Sequence, residues 1–428
     1  MSIRRTLIDF SSLNANLERN AERVQEAVQE AAADVAQADN MERARLMAAF
    51  NNAIGKLKEE NKEPGVMSSA ENALAARIQT YLVEQALQNP GVKGDVVPVS
   101  SNADEVKFDN HDVLGWLPTG LRLVFRATPF AWRKPNPTAE AFGDKGRVAL
   151  FSDWGTGLYG APAIADSIKS EDPGFQLILH LGDIYYSGSK REVQERFSDI
   201  FPQASGALCR ALNGNHEMYS GGSAYIEAVD ARFGQKSSCV AWQNSHWLLV
   251  GLDTAYVDHN MADDQVKWLT DLVNAAGNRK VILFSHHQPF SQLDSQGPRL
   301  RNQLAPLLTR QRIHAWYWGH EHRCVIYDTE PIWGLKGRCI GHGGFPAFRD
   351  RLGGTPSSTI DWKTLPAAQK NGTTVPGCKV LDGPNPFIED GPDRYSPHGY
   401  VTLEFDGAQC LEVYKDPNGK LLAPPEPL

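Results

Sequence analysis

The sequence predicts an α/β protein with a layered core, and three observations carry that reading. Short apolar runs recur through the middle of the chain, at Val148–Phe151, Leu177–Leu179, Trp247–Val250, Val281–Phe284 and Ile313–Trp318. Helical or loop-like stretches separate them, and unbroken apolar runs of this length suit strands covered on both faces. Near the C-terminus, Tyr400–Phe405 and Gln409–Tyr414 flank Asp406-Gly407. Asp-Gly between two such runs is a strong hairpin signal.

With 428 residues the chain exceeds one ordinary domain, so a core with additions is expected. Residues 1–91 read as a helical extension. Leu13, Leu17, Val24, Val28 and Val35 share one helical face, and Leu46, Phe50, Ile54 and Leu57 repeat the pattern. Ser68 and Glu71 form a capping-box pattern before a third helix with Leu74, Ile78 and Leu82. Pro90-Gly91 ends it. Such a bundle serves packing against the core, a second copy of the chain or a protein partner more often than catalysis. Residues 92–145 form a connecting segment, with a strand expected over Leu121–Ala127 between prolines. Residues 146–428 are expected to form the main domain. Within it, 350–398 is rich in Pro, Gly and Asp and is expected to be an irregular loop insertion.

The formal net charge of -8 argues against nucleic acid as the main partner. No apolar run is long enough to span a membrane, which takes about 18 residues. Six cysteines show no CxxC spacing and are expected as free thiols. Residues Met1–Asn20 lack an apolar signal region, so a cytoplasmic location is expected.

The chemistry lies in five polar segments, each following an expected strand. They are Asp153-Trp154-Gly155, Gly182-Asp183-Ile184-Tyr185-Tyr186, Gly214-Asn215-His216-Glu217, His286-His287 and Gly319-His320-Glu321-His322. Loops at the carboxyl ends of sheet strands commonly build sites. Asp, Tyr, Asn and His side chains together suit two hard or borderline metal ions, which points to a two-metal hydrolase of phosphate esters. A lone Gly-Asn-His or Gly-His-x-His is ordinarily just a loop. Trp154 and Tyr185 read as packing residues, Asp253 as a loop residue, His180 and His314 as satisfied core histidines, and His259 as a surface residue.

In these segments the chain resembles the calcineurin-like metallophosphoesterases, and within them the purple acid phosphatase branch. The wider family opens on Asp-x-His, whereas this chain has Asp153-Trp154-Gly155. Purple acid phosphatases share that change and carry a compensating tyrosine in Gly-Asp-x-x-Tyr, which matches Tyr186. The resemblance implies a four-layer α/β/β/α sandwich. It implies that Asp153, Tyr186 and His322 hold a first metal, that Asn215, His286 and His320 hold a second, and that Asp183 bridges them. His286 aligns as the ligand of a His-His-x-Pro-Phe motif, with His287 then outside the ligand set or near substrate. A phenolate favours Fe(III) at the first site, and the second suits Zn(II), Fe(II) or Mn(II).

The implied activity is a phosphomonoesterase in which hydroxide attacks phosphorus in line. His216 would contact the phosphoryl group and assist the leaving group, and Glu217 would orient it. His342, in a glycine-rich loop, is either a pocket residue or incidental. The alternatives are a phosphodiesterase of cyclic-nucleotide or phospholipid type, and a non-catalytic interaction module on the same fold.

Overall fold

The computed structural model describes residues 138–428 except 258, 350–351, 354–355 and 390. It also describes 130, 132–135 and, toward the N-terminus, 6–8, 48–49, 51–53, 55–56, 67, 71–88, 96–99 and 103–106. The periodic positions of the first two expected helices, and the strand expected at Leu121–Ala127, lie outside the described residues.

Three short strands near the N-terminus, β1 (Thr6–Ile8), β2 (Val96–Val99) and β3 (Ala103–Val106), pair in the order β1-β3-β2. The extension is therefore not wholly helical. The third expected helix is present as α1 (Ala73–Gln88), and its first turn is capped by Asn72, whose Oδ1 accepts from Ala75 N at 3.0 Å.

Two large sheets form the body. The smaller contains β5 (Lys145–Phe151), β6 (Leu177–His180), β7 (Leu208–Ala211), β18 (Tyr400–Asp406), β19 (Gln409–Lys415) and β20 (Glu426–Pro427). Their order is β20-β19-β18-β5-β6-β7, with β5, β6 and β7 parallel. The expected hairpin is the β18–β19 pair, with Gly407 at φ 60° in its turn.

The larger sheet is built from β4 (Glu140–Ala141), β8 (Val240–Gln243), β9 (Trp247–Gly251), β10 (Lys280–Ser285), β11 (Ala315–Trp318), β12 (Cys324–Tyr327), β13 (Lys336–Ile340), β14 (Asp361–Leu365) and β17 (Cys378–Asp382). They run in the order β14-β17-β12-β13-β11-β10-β9-β8-β4. Strands β14 and β17 lie inside the 350–398 segment, as does the hairpin of β15 (Ala368–Lys370) and β16 (Thr373–Val375). That segment is not an irregular loop but an extension of the sheet edge, half exposed and mixed in polarity at β14.

Period-two alternation sorts the side chains into layers. On β5, Val148 and Leu150 join a core with Leu249, Ile282, Phe284 and Leu403, between the two sheets. Ala149 and Phe151, pointing the other way, meet Ile164 and Ile168 of α2 (Gly160–Ser170). On the larger sheet, Val281 and Leu283 face Leu269 and Leu304, from helices Asp263–Ala275 and Pro298–Thr309. The result is the four-layer α/β/β/α sandwich. All six cysteines are buried and unpaired as thiols. Among the described residues no helix is long and apolar enough to cross a membrane.

Candidate metal centre

The parallel strands deliver the polar segments to one edge of the sandwich. Asp153 and Asp183 follow β5 and β6 of the smaller sheet, while His286, His320 and His322 follow β10 and β11 of the larger. The turns are tight. Asp153, Asp183, His320 and His322 all have positive φ, and a Cβ on Gly319 would stand 1.9 Å from Ser152 Oγ.

Two donor groups share Asp183. The first is Asp153, Asp183 and His322, and the second is Asp183, His286 and His320; within each, the ligand atoms lie within 4.8 Å of one another. Asn215 joins the second group through Oδ1, 3.0 Å from His286 Nε2 and 3.1 Å from His320 Nδ1. Burial lifts the Asp153 carboxyl to about 7, with repulsion from Asp183 adding to it against His286. Burial also works to raise Asp183, yet the imidazoles of His286, His216 and His320 hold it well below the usual carboxylate range. His286 shows the reverse balance, because burial lowers it but Asp183 carries it up to about 9. Two buried carboxylates facing buried imidazoles form a donor set that a cation fits.

The tyrosine in this cluster is Tyr185, not Tyr186. The Tyr185 hydroxyl donates toward Asp153 Oδ1 and Asp183 Oδ2, each at 3.1 Å, and lies 2.9 Å from His322 Nε2. It thus touches every member of the first group. The Tyr186 ring instead lies under the Arg196 guanidinium, 5.0 Å from its carbon. Asp183 is left-handed at φ 77° and residues 185–187 form a turn, so spacing along the chain does not decide which of the two rings meets the donor groups. The Gly-Asp-x-x-Tyr match pointed to Tyr186 instead.

Glu217 does not orient His216. Consecutive helix residues do not face each other. On the short helix Asn215–Tyr219, Glu217 turns back to accept from Gly214 N at 3.2 Å, capping the helix start. His216 Nδ1 lies 2.6 Å from the Tyr186 carbonyl and donates to it, which turns Nε2 toward Asp183 Oδ2 at 3.9 Å. Burial pushes the His216 pKa down.

His287 packs in a third donor group, with His320 and His259. Its ring stacks 3.8 Å from that of His259, so His259 is no isolated surface residue. Nothing in the sequence around His259 marked it. Among the described residues no hydrogen bond, ion pair or ring contact joins His342 to the donor groups, and it packs beside Gly399. His180 is buried among Phe151, Trp154 and Phe197 with neither ring nitrogen hydrogen-bonded, and is not the satisfied core residue expected. Burial drives its pKa down to about 3.

Residues 146–324 match the family described as calcineurin-like phosphoesterase. Over 228 residues the chain is 27% identical to tartrate-resistant acid phosphatase type 5 of the pig (Sus scrofa), covering 43% of this chain and 66% of that protein. Among solved structures it is similar to a purple acid phosphatase from yellow lupin (Lupinus luteus) seeds, with 16% identity and a TM-score of 0.46. That match covers 67% of this chain and 54% of the lupin chain. The matched span ends at the start of β12, so α1, the β14–β17 edge and the β18–β19 hairpin lie outside it.

Proposed function

We propose that the protein is a two-metal phosphoric ester hydrolase of purple acid phosphatase type, acting on phosphomonoesters. The observation that carries this reading is the pair of buried donor groups joined at Asp183, with a tyrosine hydroxyl against the first. Asp153, Asp183, Tyr185 and His322 would hold one cation, and Asp183, Asn215, His286 and His320 the other. Bound cations supply Lewis acidity toward phosphoryl oxygens and lower the pKa of a coordinated water. Tyrosinate donation favours Fe(III) in the first group, and imidazole with amide oxygen suits Zn(II), Fe(II) or Mn(II) in the second.

The chain's own residues supply orientation and proton handling. His216 is held at Nδ1 by the Tyr186 carbonyl, which leaves Nε2 as the atom to move a proton at the ester oxygen. His287 lies next to the second group and is suited to contact the phosphoryl oxygens.

The test is metal analysis with a chromogenic phosphomonoester panel, including diesters. Two cations per chain and monoester turnover that is lost in Asp183→Ala are expected. Full metal loading with intact ligands and no turnover on either ester class would overturn the hydrolase reading in favour of an interaction module. Iron-loaded protein should also absorb in the visible through tyrosinate charge transfer. That band should vanish in Tyr185→Phe and persist in Tyr186→Phe, and the opposite pattern would return the ligand role to Tyr186.

A further inference from the structure

The N-terminal segment, which lies outside the phosphoesterase match, reaches the donor groups through one tyrosine. Asn215 and Tyr219 sit four residues apart on the same short helix and so share a face. Asn215 Nδ2 donates to Tyr219 Oη at 2.7 Å, and Tyr219 Oη donates to the Glu71 carbonyl, also at 2.7 Å. Glu71 stands two residues before α1, whose start Asn72 caps.

The direction of these bonds is dictated by chemistry rather than by the naming of atoms. A backbone carbonyl can only accept, so the single Tyr219 proton goes to Glu71. The lone pair left on Tyr219 Oη then needs a donor. Of the two ends of the Asn215 amide only the NH2 can donate, so it must turn to Tyr219. The amide oxygen is thereby aimed at His286 Nε2 and His320 Nδ1. An amide facing the other way would present N–H groups to a cation, which no metal accepts as ligands.

We infer that Tyr219 is a positioning residue that fixes the orientation of the Asn215 amide, and that the N-terminal segment at Glu71 fixes Tyr219. The extension is on this account a working part of the centre. A second link supports it. Thr80 of α1 donates to Glu192 Oε1 at 2.9 Å, and the same oxygen accepts from Tyr186 N at 2.7 Å. The segment following Asp183 and the helix starting at Asn215 are thus both tied to the N-terminal helix. The inference rests on the two-cation reading above.

The test uses the full chain with Fe(III) loaded first, titrated with Zn(II). The visible tyrosinate band reports the first group, and zinc uptake reports the second. In Tyr219→Phe the zinc dissociation constant should rise about tenfold, the low end of what loss of a ligand's supporting hydrogen bond costs, with the band unchanged. In the Asn215→Asp background either carboxylate oxygen can ligate, so adding Tyr219→Phe should change zinc affinity much less. Unchanged zinc affinity in Tyr219→Phe would overturn the inference, as would an equal loss of band and zinc. A wild-type protein with neither band nor zinc uptake would instead refute the two-cation reading, before any variant is compared.

Discussion

Replacing Glu192 with glutamine is a sharp test of how the segment after Asp183 is held. The carboxylate is buried and accepts from four donors. Oε1 takes Tyr186 N at 2.7 Å and the Thr80 hydroxyl at 2.9 Å, while Oε2 takes Ser189 N at 3.0 Å and Ser187 N at 3.1 Å. An amide can satisfy only one side. With its oxygen toward Ser187 and Ser189, its NH2 confronts Tyr186 N, and only the Thr80 hydroxyl can rotate to accept. At least one buried backbone N–H is then orphaned, costing about 1–3 kcal/mol, and the remaining bonds lose their charge assistance, which is worth on the order of 1 kcal/mol. Glu192→Gln should therefore destabilise the protein by about 2–4 kcal/mol. Glu192→Ala leaves three N–H groups without their acceptor and should cost more. The assay is urea denaturation of metal-free protein, comparing midpoints at constant slope. A Glu192→Gln variant within about 0.5 kcal/mol of wild type, the ordinary spread of surface substitutions, would refute the four-donor account.

Other outcomes follow from the same geometry. Gly214→Ala would place a Cβ 2.1 Å from Asp183 Oδ1, so both cations should bind more weakly in metal titrations while the fold loses about 1–3 kcal/mol. Glu217→Ala should lower stability through loss of the cap by about 1 kcal/mol, and the pH dependence of turnover should stay that of wild type, because His216 is held by the Tyr186 carbonyl. Asp382 pairs with buried Arg349 at 2.7 Å. Burial works to raise the Asp382 pKa, but hydrogen bonds from Arg349 and from the backbone of Gly383 and Ser357, with the Arg349 charge, together outweigh it and hold the pKa below its ordinary value. Its unfolded state binds the proton more readily, so this contribution is present above about pH 4 and is lost as pH falls through the folded value. In Asp382→Asn, denaturation midpoints measured against pH should lose that acid-side slope.

Much of the centre was legible because each ligand segment follows an apolar run. Asp153, Asp183, His286 and His320 stand where parallel strands end, and the run-then-turn pattern marks such places directly. Tyr185 is not legible from the motif, because it lies in a turn after left-handed Asp183 and two adjacent tyrosines make the spacing ambiguous by one residue. The role of Glu217 was misread because closeness in sequence is not closeness on a helix. His259 needed the fold, since only a turn at Val257–Asn260 brings it onto His287. The edge strands β14 and β17 were hidden because β14 alternates weakly and is half exposed, so no apolar run announces it. The pairing of β1 with β3 joins residues about a hundred positions apart, beyond the reach of any local pattern.

Both donor groups draw on both sheets. Asp153 and Asp183 come from the smaller sheet, and His286, His320 and His322 from the larger, across an interface of mainly apolar side chains such as Leu150, Leu249 and Phe284, which the buried Arg338–Glu412 ion pair also crosses at 2.8 Å. Apolar contacts resist separation but have little directional preference, so they tolerate some sliding of one layer over the other. A cation in either group would act as a further rivet through two plates, beside the Arg338–Glu412 pair, and help set their registry. Occupancy then becomes a property of the whole sandwich rather than of a few loops. Stripping the metal should loosen that registry, and hydrogen exchange should quicken along the inner strands β5, β6, β10 and β11.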